Sequence, residues 1–270
     1  MPTETALRDS EPDAPTPAQL SILVDRALMS EEPDAELERL AKSGLLAQVY
    51  PEVSAMVGFG GQGQGHKDLW EHTKQVVAQT VAKREVRWAA LFHDVGKVQT
   101  FAVERGKVTF HSHELVSARF FDRAARRSGM DESFRKHVRF LVRHLGYVEG
   151  YGGDWTDSAV RRAYRETAPF FDDLVELARA DITTKHAHKR RQHQTRMDEL
   201  ELRARSIAAE DAKLPLLPKG LGSVLIESLS LTPGPRVGEL MAELKRAVEA
   251  GDLPERAEPG VYVEYLRGRG

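Results

Sequence analysis

Apolar residues recur at helical spacing along most of the chain. The apolar positions from Leu20 to Leu28 follow the i, i+3, i+4, i+7, i+8 pattern of one helical face, and a second helix is expected between Pro33 and Gly44. The same spacing predicts further helices at about 68–83, 86–94, 113–128, 133–145, 157–165, 169–182, 185–211 and 237–250. The chain is therefore predicted to be predominantly helical.

One segment breaks the helical pattern. Residues 101–104 and 107–110 are short strand-like runs, and they flank Arg105-Gly106. Two such runs separated by a glycine-containing turn are typical of a β-hairpin. We predict an all-α fold class whose β structure is one short hairpin near residues 101–110.

Proline, glycine and charge divide the chain into four segments. We expect a disordered tail at 1–17, N-terminal helices and a Gly-rich loop at 18–65, a central helical domain at 66–211, and a helical extension at 212–270 packed on that domain. The tail carries four prolines and almost no large apolar residue. The loop Gly58–Gly65 lacks the Gly-Lys-Ser/Thr ending of a phosphate-binding P-loop. Two interpretations of this loop stay open, a mobile lid and a simple linker.

Composition narrows the class of protein. The 270 residues are 41% hydrophobic and 30% charged, with a net charge of −2 and no cysteine. Disulfide frameworks, cysteine zinc sites and cysteine nucleophiles are therefore excluded. No segment approaches the roughly 18 consecutive apolar residues of a membrane helix, and no secretory signal pattern opens the chain. We expect a cytoplasmic protein without a membrane partner; the sequence leaves the oligomeric state open.

Several polar residues lie on otherwise apolar helical faces. They are His72, His93, Asp94, His144 and Asp181, which belong to at least four predicted helices. An ionised Asp on a core face costs several kcal/mol of desolvation unless a cation or hydrogen bonds compensate.

Each of these residues also has an ordinary explanation. A lone His on an apolar face is commonly a hydrogen-bonded core residue, and Asp181 could be a cap or pair with Arg179 or Arg143. Five such residues facing one core are harder to explain separately. Imidazole and carboxylate ligands without sulfur suit a divalent transition metal, namely Mn²⁺, Fe²⁺, Co²⁺, Ni²⁺ or Zn²⁺.

Ordered motifs carry a resemblance to a known family. They are Leu69-Trp-Glu-His-Thr73, Arg87-Trp-Ala-Ala-Leu-Phe-His-Asp-Val-Gly-Lys97, Thr109-Phe-His-Ser-His-Glu114, Ala180-Asp-Ile-Thr183 and Leu231-Thr-Pro-Gly-Pro-Arg-Val-Gly238. The set resembles the H…HD…D pattern of HD-domain metal-dependent phosphohydrolases. More narrowly, it is similar to the C-terminal HD region of bacterial CCA-adding tRNA nucleotidyltransferases and poly(A)-polymerase-like proteins. The resemblance runs from about Lys67 to Leu266 and implies an HD helical bundle, with 66–211 as the phosphohydrolase domain.

The resemblance also implies a ligand set. His72, His93, Asp94 and Asp181 would hold a first metal, and His113 and His144 would hold a second, with Asp94 bridging. Ser112 stands where the family usually has Gly, and His111 is a competitor for the role of His113. One or two ions fit this pattern, and Mg²⁺ is a further option.

Other residues are assigned roles around the metals. Lys97 matches the lysine of the family's HD-x-G-K motif, so we expect it to contact phosphate and, with Asp94, to serve catalysis. Arg143 and Lys185 lie in basic runs that could hold further phosphates or form solvated helix faces. Glu114 and His111 could orient a ligand histidine, while Glu114 also suits a helix N-terminus.

These features predict a metal-dependent phosphohydrolase acting on nucleotides or RNA ends. The family resemblance favours 2′,3′-cyclic phosphodiesterase and 2′-phosphatase activity by metal-activated water. One alternative is a 5′-nucleotidase acting on (deoxy)nucleoside monophosphates, and another is a non-catalytic HD-fold binding module.

Three other activities fit the sequence poorly. No nucleotidyltransferase head with a paired Asp-x-Asp precedes His72, so we expect no CCA addition. The segment Leu145-Gly-Tyr-Val-Glu lacks the Pro of the Gly-Tyr-Pro motif in cyclic-dinucleotide hydrolases. The Glu-Asp pair of alarmone hydrolases is absent after His93-Asp94.

Overall fold

A computed structural model describes residues 16–60, 68–212 and 215–268. Its helices are α1 (Pro17–Leu28), α2 (Pro33–Lys42), α3 (Leu45–Val49), α4 (Pro51–Ser54), α5 (Leu69–Gln79), α6 (Arg84–Phe92), α7 (Lys97–Thr100), α8 (His113–Arg127), α9 (Glu132–Glu149), α10 (Asp157–Thr167), α11 (Phe171–Ala180), α12 (Ala187–Ala212), α13 (Leu221–Ser228), α14 (Pro235–Glu249) and α15 (Pro259–Arg267), with a 3-10 turn at Ala168–Phe170. The predicted all-α fold class is confirmed. Most of the expected tail and of the Gly58–Gly65 loop lies outside the described residues.

The chain forms two compact units, Met1–Ser206 and Ile207–Gly270, and the boundary falls within α12. The centre of the first unit is α6, whose residues from Val86 to Phe92 are all buried. Helices α5, α8, α9 and α11 pack around the first unit's core, with α9 in contact with α6, α8 and α11. This enclosure keeps the large apolar side chains of α6, among them Trp88 and Phe92, out of water.

The N-terminal helices close one side of this core. Helix α1 contacts α6, and α2 contacts α5. The buried Tyr50 ring packs edge-on against Trp88 at 5.4 Å and against Phe92 at 5.6 Å. The buried Arg87 guanidinium donates to the carbonyl oxygens of Leu28 and Ser30, which offsets its desolvation.

The predicted hairpin is present as β1 (Phe101–Glu104) and β2 (Lys107–Phe110). The two strands are antiparallel, with Phe101 opposite Phe110 and Glu104 opposite Lys107. The turn at Arg105-Gly106 has positive φ at both positions, 50° and 77°. That conformation is the one a two-residue hairpin turn requires.

The second unit has a core of its own. Apolar residues of α13, α14 and α15 form one buried cluster that includes Leu225, Leu244 and Tyr262. The Tyr262 hydroxyl donates to the Pro254 carbonyl oxygen and accepts from the Ala257 amide, so this buried polar group is satisfied. None of the described helices combines the length and apolar character that crossing a bilayer requires.

Several helix boundaries differ from the predicted ones. Helix α5 ends at Gln79 instead of residue 83, where the Thr80 hydroxyl donates to the Val77 carbonyl oxygen and takes the place of a further helical turn. Helix α9 continues to Glu149 instead of ending at residue 145. The short helices α3, α4, α7, α13 and α15 were not predicted. Of these, α3, α4 and α7 have only four or five residues, too few for a periodic pattern.

Candidate metal centre

The His93-Asp94 pair lies immediately after α6 and is almost fully buried. His93 Nδ1 donates to the Ala90 carbonyl oxygen at 2.7 Å. Because a carbonyl oxygen only accepts, the proton of the neutral ring sits on Nδ1, and Nε2 presents a lone pair on the opposite side. The last turn of α6 thus orients the His93 ring as a ligand.

His72 and Asp181 converge on this lone pair from two other helices. His72 lies on α5, where its Nδ1 is hydrogen-bonded to the Thr183 hydroxyl at 2.8 Å. Its Nε2 is 3.2 Å from His93 Nε2. Asp181 ends α11, and its Oδ1 is 3.0 Å from His72 Nε2 and 3.3 Å from His93 Nε2. Three elements therefore meet at one point.

The donor set fits a divalent metal ion. One nitrogen each from His72 and His93 and one oxygen from Asp181 all lie within 4.8 Å of one another. Asp181 Oδ1 is buried and has no hydrogen-bond partner among the described residues. A buried carboxylate oxygen without a donor is costly, and a cation between it and two imidazole lone pairs removes that cost. Mixed nitrogen and oxygen ligands suit transition metals.

Asp94 lies between this cluster and a further histidine. Its Oδ2 is 3.4 Å from His72 Nε2 and 3.2 Å from His93 Nε2, whereas its Oδ1 is 3.4 Å from His113 Nε2. His113 begins α8, and its Nδ1 donates to the Phe110 carbonyl oxygen at 3.0 Å. The two oxygens of one carboxylate thus contact different histidines, an arrangement compatible with one ion or two.

The backbone before His113 explains a difference from the family pattern. Ser112 has a φ of 58°, in the left-handed region that favours glycine. The family's usual Gly would adopt this conformation without strain. Ser112 adopts the same conformation at some cost, and His113 still reaches Asp94.

Charge attraction keeps the cluster ionised in the metal-free protein. Burial alone would lower the pKa of His93, but the Asp94 and Asp181 carboxylates outweigh burial and hold that pKa well above its usual range. Burial would likewise raise the pKa of Asp94 and Asp181, yet His93 and His72 hold both values well below the usual range. The carboxylates are therefore in the ionised form that binds metal, whereas His93 has to release its Nε2 proton before its lone pair can bind a metal ion.

Lys97 and a small cavity adjoin the cluster. Lys97 Nζ is 2.6 Å from Asp94 Oδ2 and lies over the Phe110 ring, 5.7 Å from its centroid. Burial alone would lower the pKa of Lys97, but the charge of Asp94 outweighs burial and raises it. The cavity is about 240 Å³ in volume, with Phe59 and Phe110 beside the metal-site residues. Its lining combines apolar side chains with the charged side chains of Asp94, Lys97 and Asp181.

The other predicted site residues fall in different places. Lys185 lines a neighbouring cavity that also includes His72 and Thr183. His111 is exposed and pairs with Glu104 at 3.3 Å, away from the cluster. His144 is not brought to the cluster either: its Nδ1 donates to the Phe140 carbonyl oxygen, and its ring stacks on Phe140 at 4.1 Å.

Arg143 lines the same cavity as His144, between α8 and α9. The structure thus separates Arg143 from the metal-site cavity, where the sequence had placed it as a phosphate contact. Glu114 does contact the predicted ligands, with its Oε2 3.5 Å from His113 Nδ1. Its Oε1 lies where a side chain at Gly146 would be, 2.7 Å from the position of a Cβ there.

Sequence reasoning missed Glu149. The last residue of α9, it hydrogen-bonds to Asp181, and burial together with the Asp181 charge raises its pKa well above the usual range. The raised pKa favours the protonated form of Glu149, in which its carboxyl group donates to Asp181. The sequence did contain a signal for Glu149, because this residue continues the apolar face of Leu141, Leu145 and Val148 at helical spacing. The predicted end of the helix at residue 145 left Glu149 outside it.

Known proteins resemble the chain along most of its length. Residues 67–213 match the model of the HD domain family. The chain is 27% identical to the A-adding tRNA nucleotidyltransferase of Deinococcus radiodurans, in a match that covers 97% of the chain and 63% of that relative. Across 90% of the chain and 55% of the relative, it is 31% identical to the CC-adding tRNA nucleotidyltransferase of Thermus thermophilus. A shorter match, 35% identical over 113 residues, is to the multifunctional CCA protein of Alkalilimnicola ehrlichii. The chain thus spans 55–63% of the length of the first two relatives.

Proposed function

Because the chain belongs to the HD domain family of metal-dependent hydrolases, we propose that it hydrolyses phosphoesters of nucleotides or RNA ends. The proposed substrates are 2′,3′-cyclic phosphates and 2′-phosphates. The observation that carries the proposal is the unpartnered Asp181 Oδ1 beside the Nε2 atoms of His72 and His93, in a cluster of described residues that opens into a cavity.

The proposed metal ligands are His72, His93, Asp94 and Asp181, and His113 is the candidate for a second ion. A divalent metal ion bound there supplies Lewis acidity toward a phosphate oxygen and toward the attacking water. Of the six ligands expected from the sequence, His144 has the least support from its position.

Lys97 is the proposed phosphate contact. Its ammonium group donates to Asp94 and lines the cavity, so a phosphate oxygen entering the cavity meets a fixed positive charge. A charge already held in place stabilises the negative charge that builds on phosphate oxygens during in-line attack, without reorganising at that moment.

The cavity walls favour a nucleoside. Phe59 and Phe110 line the same cavity as Lys97, and Phe101 packs against both rings with centroid distances of 6.0 Å to each. Aromatic faces stack on bases of any sequence. The names of the relatives refer to tRNA, which supports an RNA end as the physiological substrate class.

The test compares substrates on the purified chain loaded with Mn²⁺, Ni²⁺ or Co²⁺. We expect 2′,3′-cyclic AMP to be opened to a monophosphate and 2′-AMP to release phosphate, both resolved by chromatography. The Asp94→Asn variant should lose this activity. The Asp34→Asn variant, which alters an exposed carboxylate on α2, should keep it.

Each alternative function gives a different pattern. Release of phosphate from 5′-monophosphates alone would assign a 5′-nucleotidase and refute the proposed substrates. No product from any of these nucleotides, together with no metal bound after loading, would refute hydrolysis altogether and favour a binding module.

A further inference from the structure

A second cavity lies between α8 and α9, and nothing in the proposed chemistry uses it. It is about 490 Å³ in volume, and we call it the basic cavity; its polar lining consists of Arg119, Lys136, Arg139, Arg143 and His144. We propose that the basic cavity binds single-stranded RNA, with the cationic side chains on its phosphates and the aromatic rings on its bases.

The charge of the basic cavity is positive and only partly compensated. No acidic side chain is among its lining residues in the part of the chain that the structure describes. Lys136 pairs with Glu132 at 2.8 Å, and Arg139 lies 3.9 Å from Asp122. These pairs are partly or fully exposed, so water screens them and they contribute little.

Two arginines have no such partner. Arg119 and Arg143 are exposed, and neither makes an ion pair with any described residue. Arg119 comes from α8 and Arg143 from α9, so the two unpaired guanidinium groups reach the basic cavity from different helices. Guanidinium groups bind phosphate oxygens in a bidentate manner, and two of them can hold a strand between them.

The rest of the lining is apolar and consists of Leu115, Ala118 and the aromatic rings of Phe140 and Phe170. His144 stacks on Phe140 at 4.1 Å, and Phe170 meets Phe140 edge-on at 5.2 Å and stacks with one face on His137 at 3.8 Å, which leaves its other face for a base. His144 uses its Nδ1 for the Phe140 carbonyl oxygen, while its Nε2 makes no hydrogen bond within the described ranges. The His144 ring therefore offers a flat surface and a free nitrogen for contact with an RNA base. Positive charge combined with stacking rings is the pattern of sequence-tolerant single-strand binding.

The basic cavity is distinct from the metal centre. It shares no lining residue with the 240 Å³ cavity that contains Lys97. The two are connected through α8, because His113 at its start contacts Asp94 and Arg119 lies six positions further along. RNA binding at the basic cavity is therefore expected to need no metal, and its test does not depend on the proposed hydrolysis.

The test measures binding of a fluorescein-labelled single-stranded RNA 12-mer to the full chain by anisotropy in EDTA. The variant Arg119→Gln/Arg143→Gln should weaken binding about tenfold, since it removes two charge-assisted hydrogen-bond donors to phosphate. The slope of log affinity against log salt should fall by about 1.4, because each phosphate on a single strand that is no longer neutralised accounts for about 0.7.

A matched control removes the same charge elsewhere. Arg26 on α1 and Arg162 on α10 are exposed and make no ion pair with a described residue. The variant Arg26→Gln/Arg162→Gln should bind RNA within about twofold of wild type. Thermal unfolding of both charge variants should match wild type, since each altered side chain is exposed and unpaired among the described residues.

A second variant tests the stacking. Phe170→Leu should weaken binding of the RNA while leaving binding of inorganic polyphosphate unchanged, because only the RNA has bases to stack. Binding of the 12-mer by Arg119→Gln/Arg143→Gln with wild-type affinity and salt slope would overturn the proposal. So would no RNA binding by the wild type, equal loss for both charge variants, or displacement of the RNA by poly-glutamate of equal charge.

Discussion

Replacing Gly96 with alanine should strongly destabilise the first unit. The Cβ of such an alanine would lie 2.3 Å from the His113 carbonyl oxygen and 2.8 Å from both the amide nitrogen and the hydroxyl oxygen of Ser117. The first distance is about 1.1 Å shorter than the 3.4 Å at which ordinary van der Waals contact begins. The obstructing atoms are mostly backbone of α8, so a side-chain rotation does not relieve the clash.

The magnitude follows from two costs. Overpacking against rigid neighbours costs about 1–3 kcal/mol. The shift also breaks the buried hydrogen bond from the Gly96 amide to Ser117 Oγ at 2.8 Å, which costs about 1–3 kcal/mol more. Together they remove about 2–6 kcal/mol from a typical stability of about 5–15 kcal/mol. The urea midpoint should fall by roughly 1 M or more.

The assay is urea unfolding followed by circular dichroism, with metal content measured on the folded fraction. Because the clash involves His113, the shift should also disturb its contact with Asp94. The control is Gly150→Ala, where φ is −66° and the nearest atoms to a Cβ are 3.4 and 3.5 Å away. If Gly96→Ala unfolds at the same urea concentration as Gly150→Ala, the packing argument is wrong.

Three further predictions concern the metal, acid stability and substrate preference. Asp181→Asn should abolish retention of Mn²⁺ through gel filtration, measured by elemental analysis, because it removes an ionised ligand. Hydrogen bonds from Lys74 and Trp70 lower the pKa of Glu38 from 4.5 to about 2. The Glu38→Gln variant should therefore lose about 1 kcal/mol of stability at neutral pH. In acid titrations, it should lose less stability than wild type between pH 4.5 and 2. Phe110→Leu should raise KM about tenfold for 2′,3′-cyclic AMP and leave KM unchanged for a 2′,3′-cyclic phosphate without a base.

Each of these results has an outcome that contradicts it. The sign for Glu38 follows from its lowered pKa: the ionised form stabilises the fold above pH 4.5, and that contribution is lost as the pH falls toward 2. A Glu38→Gln variant with wild-type acid sensitivity would contradict the ion-pair argument. Full metal retention by Asp181→Asn would exclude Asp181 as a ligand, and equal KM changes for both substrates would exclude stacking on Phe110.

Much of the fold followed from periodicity, and the ordered motifs led to His72, His93, Asp94 and Asp181, which lie together. These residues could be found because each puts a charged or polar group on an apolar face, and the cost of burying it demands a partner. The hairpin at Arg105-Gly106 could be predicted because its turn residues carry a local signal.

The errors came from contacts distant in sequence. The sequence pattern predicts a helix end just before Gly146, but α9 continues to Glu149, and the Glu114 carboxylate fills the space that a side chain at Gly146 would need. The early end left Glu149 outside the predicted helix, so its place on the apolar face of α9 was missed. Spacing alone could not separate the Phe140 side of α9 from the Leu141 side, and the structure places His144 with Phe140.

The Thr183 hydroxyl that fixes the His72 ring lies 111 positions further along the chain. During synthesis the ribosome delivers His72 and the His93-Asp94 pair well before Asp181 and Thr183 emerge. The growing chain then carries three donors without the last carboxylate and without the group that orients the first imidazole. Such a partial set binds metal weakly, since a preformed site is needed for tight binding. If these residues hold a metal ion, tight binding is therefore expected of the folded protein and not of the nascent chain.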